Sequence, residues 1–213
     1  MEMKKLRFHT PNAEGKSKCH KLHVGKKSAM CPELRVHGVP MENVKSDKYL
    51  GDIIAADGSN SENIRNRVSK GNGIIAKIKA ILGNVSLGES YFRIAFLLRE
   101  SMFLSSILFS SECWYGLKSE EIEELEKLDR ILLKFIFNVP DSVPSIALYL
   151  ESGCLTIGTL IKARRVNFLH TLANREDSEM HTKFFQHQWD HPSKLDWTEQ
   201  VRKDLLDLGM PVI

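Results

Sequence analysis

The chain has 213 residues, of which 42% are hydrophobic, 27% charged and 8% aromatic. That balance excludes a wholly disordered chain, a collagen-like repeat and a small disulfide scaffold. The formal net charge of +3 hides a gradient: residues 1–48 carry eleven Lys and Arg against five Asp and Glu, whereas residues 99–213 carry thirteen against eighteen. A basic front of this kind suits a polyanion partner.

The most apolar run, Ile94 to Gly116, is broken by Arg99, Glu100 and Glu112, so no membrane span is expected. Behind Met1 stand Glu2, Lys4, Lys5 and Arg7 with no apolar stretch, which is not a secretory signal. The four cysteines, Cys19, Cys31, Cys113 and Cys154, then read as reduced thiols, and the expected location is intracellular, nuclear or cytoplasmic.

Taken in chain order, residues 1–18 lack periodicity and read as a flexible basic lead. Residues 19–58 form a small β unit. In His20–Val24 and Glu33–His37 apolar and polar side chains alternate, which predicts an antiparallel pair. A third run, Lys48–Ile54, ends at the turn signal Asp57-Gly58. From Ser59 the period changes to helical. Ser59 and Glu62 have capping-box spacing, and Ile64, Val68, Ile75, Ile78 and Leu82 make one stripe ahead of Gly83. Arg65, Arg67, Lys70, Lys77 and Lys79 fall on the other side of that helix. A second helix, apolar nearly all round and so expected to be central, runs from near Glu89 to near Ser111. Ser119 caps a third helix with the stripe Ile122, Leu125, Leu128, Leu132 and Phe135, ending at Pro140. Its acidic first turns, Glu120 to Glu126, suit the positive end of the helix dipole. A short helix follows Pro144, and a fifth fits Ile157 to Asn174. Residues 176–213 read as a polar linker and a terminal amphipathic helix, Trp197 to Leu208. Strands first and helices later predict an α+β fold: a small antiparallel β unit followed by a mainly α-helical region over 59–175.

Candidate chemistry is sparse. Cys19, His23, Cys31 and His37 could ligate zinc, but Cys31-x5-His37 is loose and Leu22 and Val24 read as ordinary strand residues. The chain contains no Gly-x-Ser-x-Gly elbow, no phosphate loop and no Asp-Asp pair. No catalytic residue, metal ligand or cofactor is therefore expected. Lys16, Lys18, Lys21, Lys26, Lys27, Lys48, Arg65, Arg67 and Lys70 are cations able to neutralise phosphates, and Tyr49 is an aromatic able to stack.

These residues carry a resemblance. Lys16 to Lys27, then Leu34-Arg35-Val36-His37-Gly38, then Lys48-Tyr49-Leu50-Gly51-Asp52-Ile53-Ile54-x2-Asp57-Gly58 resemble the stretch just after the catalytic turn in reverse transcriptases of non-LTR (LINE-type) retrotransposons. Arg99-Glu100-Ser101-Met102, Trp114-Tyr115-Gly116-Leu117, Leu128-Asp129-Arg130 and Ile161-Lys162-Ala163-Arg164-Arg165 resemble the thumb and connection region of such enzymes. The resemblance implies an end-of-palm strand followed by a helical thumb. The fingers, most of the palm, the catalytic aspartates and their Mg²⁺ would lie upstream of Met1. By the same resemblance Lys18 matches a lysine near the incoming nucleotide. Tyr49, Leu50 and Gly51 match the strand near the primer terminus, and Arg65, Arg67 and Lys70 would face an RNA–DNA primer–template. Lys26, Lys27 and Lys48 would add phosphate contacts. The fragment is expected to have no polymerase activity alone. The alternative is an independent helical protein-interaction module whose acidic helices bind another protein. Neither reading fixes an oligomeric state.

Overall fold

The computed structural model describes residues 20–21, 35–36, 39–40, 42–175, 180–191 and 196–211. The chain divides into two compact units, Met1–Ser59 and Asn60–Ile213. The fold is α+β, with a small β unit at the N-terminal side and helices after it.

Among the described residues the β unit holds six short strands: β1 (His20–Lys21), β2 (Arg35–Val36), β3 (Val39–Pro40), β4 (Glu42–Asn43), β5 (Ser46–Tyr49) and β6 (Asp52–Ala55). The expected pairing of 20–24 with 33–37 does not form among the described residues. Instead β2 pairs antiparallel with β3, and β1 pairs parallel with β4. Turning back on the nearest segment closes a much shorter loop than reaching across the chain, which favours β2–β3. The run Lys48–Ile54 is likewise two strands, not one. β5 and β6 pair in the register Asp47↔Ile54, Lys48↔Ile53 and Tyr49↔Asp52. Leu50 (φ 48°) and Gly51 (φ 97°) make the two-residue turn. Positive φ at both central positions is what right-twisted hairpins require. Gly51 adopts it without strain; Leu50 does so at a cost of about 1–2 kcal/mol. The Asp57-Gly58 turn forms as expected, with Asp57 Oδ1 accepting the Ser59 N–H at 2.9 Å.

The helical unit comprises α1 (Ser61–Leu82), α2 (Glu89–Leu98), α3 (Ser119–Phe137), α4 (Ser145–Ser152), α5 (Ile157–Ala173), α6 (Met180–Asp190) and α7 (Trp197–Asp207). From Leu98 the chain of α2 runs on through a π-helical stretch, Arg99–Leu104, and a further turn to Ile107. The predicted stripes point inward. Ile64, Ile75, Ile78 and Leu82 of α1 meet Phe103 and Ile107, Leu125, Leu128 and Leu132 of α3, and Ile157 and Ile161 of α5. Gly71 lets α1 and α3 close on each other: a Cβ there would stand 2.7 Å from Leu128 Cδ1. Leu169, Leu172, Phe185, Val201 and Leu205 make a second cluster between α5, α6 and α7.

Four sequence expectations need correction. Ser59 and Glu62 do not form a capping box: Asn60 is the N-cap residue and no side chain caps α1. The Ser59 N–H is held by Asp57, and Ser61 turns its hydroxyl to Glu121 Oε1. Helix α3 starts at Ser119 with Lys118 before it, and Glu121 Oε2 reaches back to the Lys118 N–H at 2.9 Å. It stops at Asn138 in the left-handed region (φ 51°), two residues ahead of Pro140. Residues 180–190, read as linker, are helical, because Phe185 docks on Trp197 and on Trp189 four residues further along. Helix α2 is central on one face only; Phe92, Ile94 and Leu97 are exposed.

No single helix among the described residues is long and apolar enough to cross a membrane. The pair α4 and α5, bent by 52°, has the length and composition together, yet Ile157 and Ile161 are core residues.

Candidate nucleic-acid interface

Of the ten proposed contact residues, Lys18, Lys26 and Lys27 lie outside the described residues, as do the four candidate zinc ligands Cys19, His23, Cys31 and His37. Lys48, Tyr49, Leu50 and Gly51 are together at the tip of the β5–β6 hairpin. Lys48 is exposed, Tyr49 is 66% exposed and Leu50 is 78% exposed. An aromatic ring and an aliphatic side chain held in water by a tight turn, next to a lysine, form a surface on which a base could stack beside a phosphate contact.

On α1 the cations do not share one face. At about 100° per residue, Arg65 and Lys70 are about 140° apart, whereas Lys70 and Lys77 lie within about 20° of each other. All three are exposed. Lys79 leaves the row and lays its ammonium over the Phe135 ring, 5.2 Å from the centroid. Arg67 departs furthest from expectation. It is only 3% exposed, donates from Nη1 to the Ser106 carbonyl at 3.2 Å and lies over the Phe109 ring at 5.2 Å. Arg67 sits about 60° from Lys70, rotated toward the core stripe, so its charge is spent inside the bundle. It is not available to a phosphate.

The motifs that carried the resemblance meet one another inside the helical unit. Arg99 donates to both carboxylate oxygens of Asp129, Nε to Oδ1 at 2.8 Å and Nη2 to Oδ2 at 2.7 Å. The pair is 3% and 0% exposed. Tyr149 donates its hydroxyl to the same carboxylate at 3.3 Å, and Arg99 Nη1 lies 3.3 Å from Cys154 Sγ. Burial works against the charge on Arg99, and the Asp129 hydrogen bonds and charge more than offset it, so its pKa stands above the usual arginine value. Burial, then the Asp129 charge, push the Tyr149 hydroxyl well up from its usual range, so it stays a donor. A second buried pair repeats the pattern. Arg165 donates to Asp204 Oδ2 at 2.5 Å and Oδ1 at 3.1 Å, and its Nη1 donates to the Trp114 carbonyl at 2.9 Å. Arg164 beside it donates to the Leu108 carbonyl at 2.6 Å. Sequence reasoning placed these arginines side by side without seeing that both turn inward; the acidic partner Asp204 on α7 was the missing signal.

No family model, no curated protein and no solved structure matches the chain.

Both buried aspartates are committed to arginines, and among the described residues no group of three or more His, Cys, Asp or Glu could hold a metal ion. The acidic run on α3 is also largely used within the fold. Glu121 binds Ser61 and the Lys118 N–H, Glu126 accepts the Gly158 N–H at 3.2 Å, and Glu123 pairs with Arg130. Glu120 and Glu124 remain as exposed carboxylates of that run, a thin basis for an acidic docking face. The thiols of Cys113 and Cys154 are not joined in a disulfide.

Proposed function

We propose that this chain is the end-of-palm and thumb portion of a non-LTR reverse transcriptase, a nucleic-acid grip that lacks the polymerase's catalytic aspartates. One observation carries the reading furthest: four motifs chosen for their likeness to that family are bonded to each other in pairs. Arg99 of the Arg-Glu-Ser-Met segment holds Asp129 of Leu-Asp-Arg, and Arg165 of the Ile-Lys-Ala-Arg-Arg segment holds the carbonyl of Trp114 in Trp-Tyr-Gly-Leu. Segments scattered over the chain that resemble one family and also lock together describe one folding unit. In this reading the polyanion contacts come from the hairpin tip, Lys48 and Tyr49, and from Arg65, Lys70 and Lys77 on α1. The partner is an RNA–DNA primer–template, and Mg²⁺ belongs to the palm that supplies the aspartates.

Fluorescence anisotropy of the full chain against an RNA–DNA hybrid tests it. With about four phosphates neutralised, affinity falls about 10²-fold between 50 and 200 mM salt. Charge reversal of Arg65 together with Lys70 and Lys77 weakens binding, while Arg67→Lys acts on stability and leaves the salt slope alone. Primer extension with Mg²⁺ or Mn²⁺ gives no product. Absence of binding at low salt overturns the proposal.

A further inference from the structure

The end of α6 carries a chemistry that the nucleic-acid reading does not use. His187 and His191 are four residues apart and therefore on the same helical face. Both are exposed. Their rings lie side by side, with centroids 4.8 Å apart and planes inclined by 30°. The helix is still wound at this point, since the His191 N–H donates to the His187 carbonyl at 3.1 Å. The same carbonyl lies 3.2 Å from His191 Nδ1. A carbonyl oxygen cannot donate, so Nδ1 carries the proton of that bond. The neutral ring then keeps its lone pair on Nε2, the outward nitrogen. A backbone carbonyl fixing the tautomer in this way is the usual support of a metal-ligating histidine. The site is also at a helix C-terminus, where the partial negative charge of the unpaired carbonyls favours a cation.

We propose that His187 and His191 form a two-histidine chelate for an imidazole-seeking divalent cation of the late first row, such as Zn²⁺, Ni²⁺ or Cu²⁺. Two Nε2 atoms each about 2.0–2.1 Å from one metal stand roughly 3 Å apart. Rings already stacked at 4.8 Å reach that separation by tilting their outer edges together, which exposed side chains can do. Water completes the coordination. Hard, oxygen-preferring Mg²⁺ is not a ligand for this site. Bound metal clips the last turn of α6, the turn that carries Trp189 onto Phe185 and under Arg202. The inference rests on α6 alone and stands or falls independently of any nucleic-acid role.

The test is a titration of the full, ¹⁵N-labelled chain with Ni²⁺, followed by amide line broadening. Equimolar Ni²⁺ broadens the amides of residues 184–191, and the same concentration of Mg²⁺ changes nothing. In His191→Gln, and equally in His187→Gln, the apparent affinity at these amides falls about tenfold or more, because a chelate becomes a single ligand. Both side chains are exposed, so the remaining amide resonances of the variants stay in place and report an intact fold. Sharp 184–191 amides at equimolar Ni²⁺ overturn the proposal, including the case in which histidines elsewhere in the chain take the metal. So does a titration that either substitution leaves unchanged.

Discussion

Asp129 and Asp207 are both aspartates paired with a cation, and their surroundings give them opposite weights. Asp129 is 0% exposed and holds Arg99 through two parallel hydrogen bonds. Removing the carboxylate leaves a guanidinium in the core with no counter-charge, so Asp129→Ala is expected to cost about 3–5 kcal/mol. Asp207 meets Lys162 at 2.6 Å on the surface, where water screens both. Asp207→Ala is expected to cost less than about 1 kcal/mol. Urea denaturation of the two variants measures the contrast; similar losses for both would remove the special standing of the Arg99–Asp129 pair. Tyr149 adds a pH signature to the same cluster. Its folded-state pKa is raised by burial and by Asp129, so the native state keeps the phenolic proton that the unfolded chain releases near pH 10. The associated stability is complete below that pH and is lost as pH rises above it. Tyr149→Phe is expected to flatten the fall in stability above about pH 10, as followed by denaturation midpoints over the alkaline range. Tyr91, raised by burial alone, contributes a residual slope in that variant.

At the scale of elements, Gly71 and Gly73 of α1 separate propensity from packing. Both lie inside a helix, where alanine is better by about 1 kcal/mol. At Gly73 an added Cβ meets nothing within 4 Å, so Gly73→Ala is expected to stabilise the protein by about 0.5–1 kcal/mol. At Gly71 the same atom would be 2.7 Å from Leu128 Cδ1 and 3.2 Å from Ile107 Cγ2. Gly71→Ala is expected to destabilise by about 1–3 kcal/mol, because α1 and α3 must part. Thermal unfolding of the two variants decides, and a stabilising Gly71→Ala would mean that the interface yields freely. The elements that could be read from the sequence were those with an uninterrupted apolar period. The stripes of α1 and α3 hold from Ile64 to Leu82 and from Leu125 to Ile136. What escaped had a local signal that pointed elsewhere. Helix α6 is built on Phe185 and Trp189 amid polar residues, too few apolar positions to show a period. The hairpin turn uses Leu50, a residue that turns seldom accept, so Lys48–Ile54 looked like one strand. Of the candidate contact residues, Lys48, Tyr49 and Leu50 of the hairpin lie together and exposed. Arg67 does not, because a charge tucked against Phe109 and the Ser106 carbonyl looks in sequence like any other helix cation.

For the molecule as a whole, the two compact units differ in how each satisfies itself. Among its described residues the β unit offers three two-stranded sheets, two of them with strands only two residues long, and isolated two-stranded pairs are marginal in water. Among the described residues, the three apolar clusters are built from α1 to α7 and their members lie within 60–213. Both buried Arg–Asp pairs are also internal to the helical unit. Among the described residues, the apolar clusters and buried ion pairs that fold residues 60–213 lie within that segment. A fragment of those residues is expected to keep its helical far-ultraviolet dichroism and unfold in one cooperative urea transition, with a midpoint near that of the full chain. The nucleic-acid proposal adds a second requirement at the same scale. Two of its five named contacts, Lys48 and Tyr49, belong to the β unit, and the other three belong to α1. The fragment should then bind the RNA–DNA hybrid more weakly and with a shallower salt slope than the full chain, by about one unit for each phosphate contact removed. A fragment that folds yet binds with the full chain's affinity and slope would place the whole grip on the helices and strip the hairpin of its role. A fragment that fails to fold would show that the helical core depends on the first 59 residues after all.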